Sequence, residues 1–87
     1  MIKYKADDWL RPKVEIVECE RATDSSVFVN GKRRAKESAN ERYLDSFDEA
    51  KSWLLDRADR RLQAARNALQ RAQDQLGNIK GMKEPQQ

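Results

Sequence analysis

The C-terminal half of the chain carries a hydrophobic pattern with a period of seven residues. One row has a leucine at every seventh position, and a second row lies three residues further on: Leu55, Leu62, Leu69 and Leu76, then Ala58, Ala65, Ala72 and Ile79. Alternating steps of three and four residues keep such side chains on one narrow face of a helix, as in a coiled coil. The pattern predicts a helix over residues 46–76. The dimer seam that we expect on it comprises Leu62, Ala65, Leu69, Ala72 and Leu76.

The predicted helix has a sequence signal at each end. Ser46 and Glu49 have the spacing of a capping box, in which each side chain accepts a hydrogen bond from a backbone N–H at the start of the helix. No glycine or proline interrupts the run before Gly77, and glycine commonly follows the last helical turn. We therefore expect the helix to end near residue 76 and residues 78–87 to form a mobile tail.

The N-terminal half alternates apolar and polar residues over short runs, which is typical of strands in an antiparallel sheet. Asn30 and Gly31 are residue types that suit a two-residue type I′ turn, so the strands on either side of them should form a hairpin. Tyr43 and Leu44 are open to two interpretations, a final short strand or an anchor for the start of the helix. The predicted strands cover about residues 2–5, 13–22, 26–30 and 32–37.

Together these elements predict an α+β fold, in which a small antiparallel β-meander of three to four strands precedes one long C-terminal α-helix with a coiled-coil-like seam of leucine and alanine. With 87 residues, the chain is short enough to form a single domain, which we expect over residues 1–77.

The expected length of the helix exceeds what the sheet can cover. A helix of ~31 residues is roughly 46 Å long, whereas a strand of ~7 residues spans about 23 Å. Leaving Leu62, Leu69 and Leu76 in water forgoes roughly 1.5–3 kcal/mol each. Packing against a second copy of the chain is the simplest way to bury these leucines, so we expect a homodimer. The alternative is a helix that bends or breaks near Arg60 and Arg61 and folds back on itself.

The composition argues against catalytic and metal-binding functions. Hydrophobic and charged residues each make up 38% of the chain, the net charge is +3, and there is one cysteine and no histidine. A zinc site, an internal disulfide and a Cys–His or Ser–His arrangement are therefore not expected. No phosphate-binding loop is present either. We expect a non-enzymatic protein without a cofactor or metal, in which Cys19 is a small buried apolar residue.

The sequence also contains no segment that predicts insertion into a membrane. No stretch approaches the ~18 apolar residues that span a bilayer, and the N-terminus has no apolar core of the signal-peptide type. A cytoplasmic protein that makes no membrane contact is the expectation, and an unpaired cysteine suits a reducing compartment.

The predicted hairpin contains the densest cluster of positive charge in the chain. Such a cluster can contact the phosphates of a nucleic acid. It can also be an edge strand whose charge prevents edge-to-edge aggregation, which is the interpretation that we favour. Phosphate contacts remain the alternative. The residues concerned are Lys32, Arg33, Arg34 and Lys36.

A second candidate surface lies on the first turns of the predicted helix. Trp53, Arg57 and Arg60 share one side of the helix, and a tryptophan next to arginines is typical of a protein-binding hot spot. The alternative is that Trp9 and the loop from Asp7 to Pro12 cover Trp53 in an ordinary packed cluster. The sequence does not favour either interpretation.

One stretch resembles a group of known proteins. The segments Val27-Phe28-Val29-Asn30-Gly31-Lys32 and Tyr43-Leu44-Asp45-Ser46-Phe47-Asp48-Glu49-Ala50-Lys51-Ser52-Trp53-Leu54 are similar to small accessory proteins of phages and prophages. In these a short meander ends in an aromatic-rich strand and an amphipathic helix follows. Some of them are anti-CRISPRs or other anti-defence inhibitors. The resemblance implies stoichiometric binding, often by a dimer.

These observations predict a homodimeric binding protein of phage or prophage type that inhibits or modulates a host protein, for example a defence complex. If the protein is phage-encoded, its location is the cytoplasm of the bacterial host. One alternative is an accessory protein that binds nucleic acid through the basic hairpin. Another is a sponge that sequesters a small signalling nucleotide between subunits, with arginines near the dimer seam.

Overall fold

A computed structural model of the chain describes residues 1–85, which form six strands and one helix. The predicted α+β fold is therefore confirmed. The chain divides into two compact units, Met1–Arg57 and the residues from Ala58 onwards. This boundary lies inside the helix, at a place where no composition change or loop signal predicts it. The elements are β1 (Ile2–Asp7), β2 (Lys13–Glu18), β3 (Arg21–Ala22), β4 (Ser26–Val29), β5 (Lys32–Ala35), β6 (Glu41–Leu44) and α1 (Phe47–Lys80).

The strands form two three-stranded antiparallel sheets rather than the single meander that the sequence predicts. The first sheet has the order β2-β1-β6 and the second β3-β4-β5. The strand predicted over residues 13–22 is wrong in its extent, because it is two strands that belong to different sheets. Cys19 N–H donates to the carbonyl of Met1 (2.7 Å), whereas Glu20 N–H donates to that of Phe28 (2.8 Å). The chain thus passes from one sheet to the other between these two residues.

The hairpin between β4 and β5 confirms the predicted turn. Asn30 has a φ of 50° and Gly31 a φ of 74°, the positive values that a type I′ turn requires. The predicted strands 26–30 and 32–37 are each too long, because β4 ends at Val29 and β5 at Ala35. β1 extends two residues beyond the predicted strand 2–5, and Tyr43 and Leu44 belong to a strand, β6.

The buried core lies where the two sheets meet. Cys19, Val27 and Tyr43 form its centre, and partly buried apolar residues from both sheets pack against them: Val17, Ala22 and Val29. Cys19 is buried, as predicted. Because Tyr43 pairs with Lys5, alternation along β1 places Ala6 on the opposite face of the first sheet, where Ala6 is also fully buried.

The helix starts as predicted and ends later. Glu49 N–H donates to Ser46 Oγ (3.1 Å), and Glu49 Oε2 accepts from Asp45 N–H (3.2 Å), one residue earlier than a standard capping box. The predicted end at residue 76 is wrong: the helix continues through Gly77 to Lys80, and Gly81 N–H bonds to the carbonyl of Gly77 (3.1 Å).

This longer helix also corrects the predicted tail and the alternative of a bent helix. Residues 78–80 are helical, and the last two residues of the predicted tail lie outside the described range. The helix runs without a break for 34 residues, so a chain reversal near Arg60 and Arg61 is wrong. Glycine inside a helix costs only about 1 kcal/mol relative to alanine, which one position in a long helix can sustain. Within residues 1–85, no helix combines the length and the apolar character that crossing a membrane requires.

Candidate partner-binding surfaces

The apolar seam of α1 is exposed along its whole length in the single chain. Every residue from 58 to 85 is exposed. Leu62, Leu69 and Leu76 expose 47%, 59% and 53% of their surface, respectively. The alanines of the seam, Ala65 and Ala72, are exposed with them. The structure therefore places the five predicted seam residues on one continuous helix, in solvent, with the spacing of a coiled coil.

Trp53 and Arg57, the first two residues of the predicted hot spot, are in contact with each other. The Arg57 guanidinium carbon lies 4.4 Å from the centre of the Trp53 ring, a cation–π stack. Trp53 is half-buried, and Arg60 is exposed about two turns further along α1, in the second compact unit. A shallow depression on the first sheet and the first turns of α1 includes Trp53 in its lining, with Arg42, Leu44, Ser52 and three carboxylates.

Arg57 is also bonded to two loops. Its Nε donates to Asp8 Oδ2 (2.7 Å) and its Nη2 to Asp8 Oδ1 (3.2 Å), and Nη2 donates further to the carbonyl of Ala39 (2.7 Å). The hydrogen bond to Asp8 raises the pKa of Arg57, so Arg57 stays charged at any physiological pH. Nε and Nη2 of Arg57 are thus engaged within the chain, and the stack with Trp53 serves to hold this cluster together.

The loop between β1 and β2 presents two large apolar side chains to solvent. Trp9 is 69% exposed and Leu10 is 90% exposed, so Trp9 does not cover Trp53 as the alternative interpretation proposed. It is Asp8 from this loop that reaches the cluster. Sequence reasoning considered Trp9 only as a cover; the signal that it missed is an adjacent Trp-Leu pair in a segment that was already predicted to be a loop.

Polar contacts hold this loop in place. Trp9 N–H donates to Asp7 Oδ1 (2.8 Å), Asp8 N–H donates to the carbonyl of Asn40 (3.0 Å), and the Asp8 side chain is only 2% exposed in its ion pair with Arg57. Trp9 and Leu10 also line a small depression together with Asp7, Arg11 and Lys13. A loop that is fixed by its backbone and exposes Trp and Leu next to two basic residues is suited to anchoring in an apolar pocket of a partner.

The basic hairpin does not gather its charges on one face. In the register of β4 and β5, Arg33 pairs with Phe28, whereas Lys32 and Arg34 pair with Val29 and Val27 and so lie on the other face. Lys36 follows β5, and its Nζ donates to the carbonyl of Thr23 (2.9 Å). β5 is an edge strand of the second sheet. This arrangement favours the interpretation of an edge protected by charge.

Arg21 adds a basic residue that sequence reasoning did not include. Its guanidinium carbon lies 4.2 Å from the centre of the Phe28 ring, and Phe28 pairs with Arg21 on one side and with Arg33 on the other. Arg33 Nε donates to Ser26 Oγ (2.9 Å). A row Arg21–Phe28–Arg33 therefore crosses the face of the second sheet that points away from Val27.

Comparison of the chain with protein-family models, with curated proteins and with solved structures finds no match at a significant level.

Proposed function

We propose that this chain is a non-enzymatic homodimeric binding protein of phage or prophage type that inhibits or modulates a host protein, such as a defence complex, by stoichiometric binding. The observation that carries the proposal is the exposed seam of α1. Three leucines spaced seven residues apart are each about half exposed on an unbroken helix. A single chain gains nothing from this spacing, whereas two chains bury both rows against each other.

The dimer also gives the chain a stability that its core alone supplies poorly. The buried centre between the sheets consists of three side chains, and domains of this size commonly depend on oligomerisation. The second unit has no buried residue from 58 to 85. A second copy supplies the apolar contacts that these residues lack.

We place the contact with the host protein at the β1–β2 loop. Trp9 and Leu10 are the anchors, and Arg11 carries positive charge beside them, whereas Lys13 is ion-paired with Glu15 (2.9 Å). The fitting partner surface is an apolar pocket with an acidic residue at its rim, because such a rim complements Arg11. Trp53 and Arg57 support the loop from behind through Asp8, rather than forming the contact themselves. In a dimer the loop is present twice, which increases avidity for a partner with repeated sites.

The dimer is tested by adding charge to the seam. The double variant Leu62→Lys/Leu69→Lys places two lysines in the seam, whereas the matched control Gln63→Lys/Gln70→Lys adds the same charge one residue further around the helix. Light scattering should report about twice 10.2 kDa for the wild type and the control, and the monomer mass for the seam variant. Equal masses for the two variants would show that the seam does not form the dimer contact.

The contact loop is tested by affinity capture from bacterial lysate with matched baits. The first bait carries Trp9→Ala and Leu10→Ser, and the control bait carries Ile16→Thr, which alters another exposed apolar residue of the first sheet. A host protein that the wild type and the control capture in a fixed ratio should be lost with the first bait. Retention of the same protein by all three baits would exclude the loop as the contact.

The row Arg21–Phe28–Arg33 supports a second candidate function, binding of nucleic acid. Two guanidinium groups on either side of an aromatic ring can contact phosphates and stack on bases. Titration of single-stranded DNA and RNA across a salt series tests this function, because phosphate contacts make affinity fall steeply with salt. Absence of binding at low salt, or unchanged affinity in Arg21→Gln/Arg33→Gln, would exclude it.

A further inference from the structure

We propose that the two copies of α1 pair in antiparallel orientation, in the register that sets Leu62 against Ala72 of the second copy, Ala65 against Leu69, and Ala58 against Leu76. This inference rests on the proposed homodimer and specifies how its two helices meet. It follows from the sizes of the seam residues, from their positions along the helix, and from the charges that flank them.

The sizes of the seam residues favour antiparallel pairing. In a parallel pair each residue meets its own copy, so layers of two leucines alternate with layers of two alanines. The distance between helix axes depends on the contacting side chains and ranges over 8–10 Å, and layers of such different volume demand different distances on one straight helix. In an antiparallel pair each leucine meets an alanine. The layers from Ala58 to Leu76 then all have the same volume, and one axial distance fits all of them.

The positions along the helix select one antiparallel register. Within the second unit, the two rows of the heptad pattern comprise the five seam residues together with Ala58 and Ile79. Only the register centred on residue 67 gives each of them a partner from the two rows, with Ile79 opposite Leu55 of the second copy. A shift by one heptad in either direction leaves Leu76 or Ala58 opposite a residue outside the two rows, Lys51 or Lys83 respectively. The chosen register therefore covers all three leucines of each copy.

The charges that flank the seam also favour antiparallel pairing. In a parallel pair, Arg61 of each copy lies beside Arg66 of the other, which gives a repulsive pair on both sides of the seam. In the antiparallel register Arg61 lies beside Gln75 and Asp59 beside Gln73, so these charges face neutral side chains. Arg66 then meets Arg66 of the second copy once, near the centre. Antiparallel pairing thus has one repulsive pair where parallel pairing has two.

Two single cysteine variants distinguish the orientations. Ala68 flanks the centre of the antiparallel register, so Ala68→Cys places two thiols side by side across the seam. Ala58 lies in the seam far from that centre. Ala58→Cys separates the two thiols by ~18 residues or about 27 Å in the antiparallel pair, and juxtaposes them in a parallel pair. Native Cys19 is buried, and the wild-type chain serves as the control for its reactivity towards a short bis-maleimide.

We expect the bis-maleimide to convert Ala68→Cys to a covalent dimer and to leave Ala58→Cys as single chains, with circular dichroism confirming equal helix content. Cross-linking of Ala58→Cys, with or without that of Ala68→Cys, would overturn the antiparallel orientation while keeping the dimer. Cross-linking of neither variant, with twice the monomer mass by light scattering, would overturn the register. The monomer mass for both would contradict the proposed dimer itself.

Discussion

Arg57 and Asp8, which are 49 residues apart in the sequence, are joined by two hydrogen bonds of 2.7 and 3.2 Å. The same guanidinium stacks on Trp53 and donates to the carbonyl of Ala39. One side chain therefore connects the β1–β2 loop, the segment between β5 and β6, and the first turns of α1. Because Trp9 and Leu10 directly follow Asp8, this connection fixes the position from which they face solvent.

Substitution of Arg57 should loosen the β1–β2 loop. Arg57→Lys keeps the charge but loses the planar fork that binds both carboxylate oxygens of Asp8. We expect faster hydrogen exchange at the backbone N–H groups of Asp8 and Trp9, together with a lower midpoint of thermal unfolding. Arg66→Lys, an exposed position on the same helix, is the control and should change neither. Unchanged exchange in Arg57→Lys would show that the backbone contacts of the loop suffice.

Val27 is the largest fully buried side chain in the part of the chain that the structure describes, so shortening it should be costly. Val27→Ala should lower the free energy of unfolding by about 2 kcal/mol, because it removes buried methyl groups and leaves a cavity. Val29→Ala, in the same strand but only partly buried, should have a smaller effect. Urea unfolding measures the free energy of unfolding of both variants. Equal losses of stability in the two variants would show that Val27 is not at the centre of the core.

Tyr43 should give the stability of the fold a dependence on alkaline pH. Burial raises the pKa of Tyr43 above its ordinary value of 10.0. The folded chain therefore holds the phenol proton more tightly than the unfolded chain. The resulting contribution to stability is complete below about pH 10 and is lost as the pH rises through the folded-state pKa. Tyr43→Phe cannot ionise, so its unfolding free energy should fall less between about pH 9 and 11. If the unfolding free energies of the wild type and of Tyr43→Phe fall by the same amount over this pH range, this prediction is contradicted.

Two glycines should respond in opposite directions to replacement by alanine. Gly77 lies inside α1, and a methyl group added to its Cα would meet no atom within 4 Å. Gly77→Ala should therefore stabilise the helix by about 0.5–1 kcal/mol. Gly31 has the same free space but a φ of +74°, which alanine adopts with strain of about 1–2 kcal/mol. Helix content and thermal midpoint by circular dichroism measure both effects. A loss of helix in Gly77→Ala would show that α1 ends there.

The sequence predicted what depends on local residue order. The seven-residue repeat predicted α1, Ser46 and Glu49 its start, and Asn30-Gly31 the hairpin turn, because each of these signals acts between residues close in the chain. The prediction that α1 ends at residue 76 is wrong, because Gly77 is compatible with both a helix end and a helix interior. Neighbouring residues decide between the two.

Long-range pairing was not predictable in the same way. The apolar positions of the segment from Lys13 to Ala22 change face at Ile16–Val17, but the change of sheet lies between Cys19 and Glu20, and only their partners Met1 and Phe28 reveal it. Likewise, no local pattern indicates that Asp8 binds Arg57 or that Phe28 lies between Arg21 and Arg33. The sequence indicated Trp53 and Arg57, whereas the exposure of Trp9 and Leu10 and the contact of Arg57 with Asp8 required the structure.

The mass of the wild-type chain in solution tests the central claim most directly. Sedimentation equilibrium over a range of micromolar concentrations should fit a species of twice 10.2 kDa, dissociating on dilution. A single species of 10.2 kDa throughout that range would contradict the account, because the seam of α1 would then remain exposed in the functional protein.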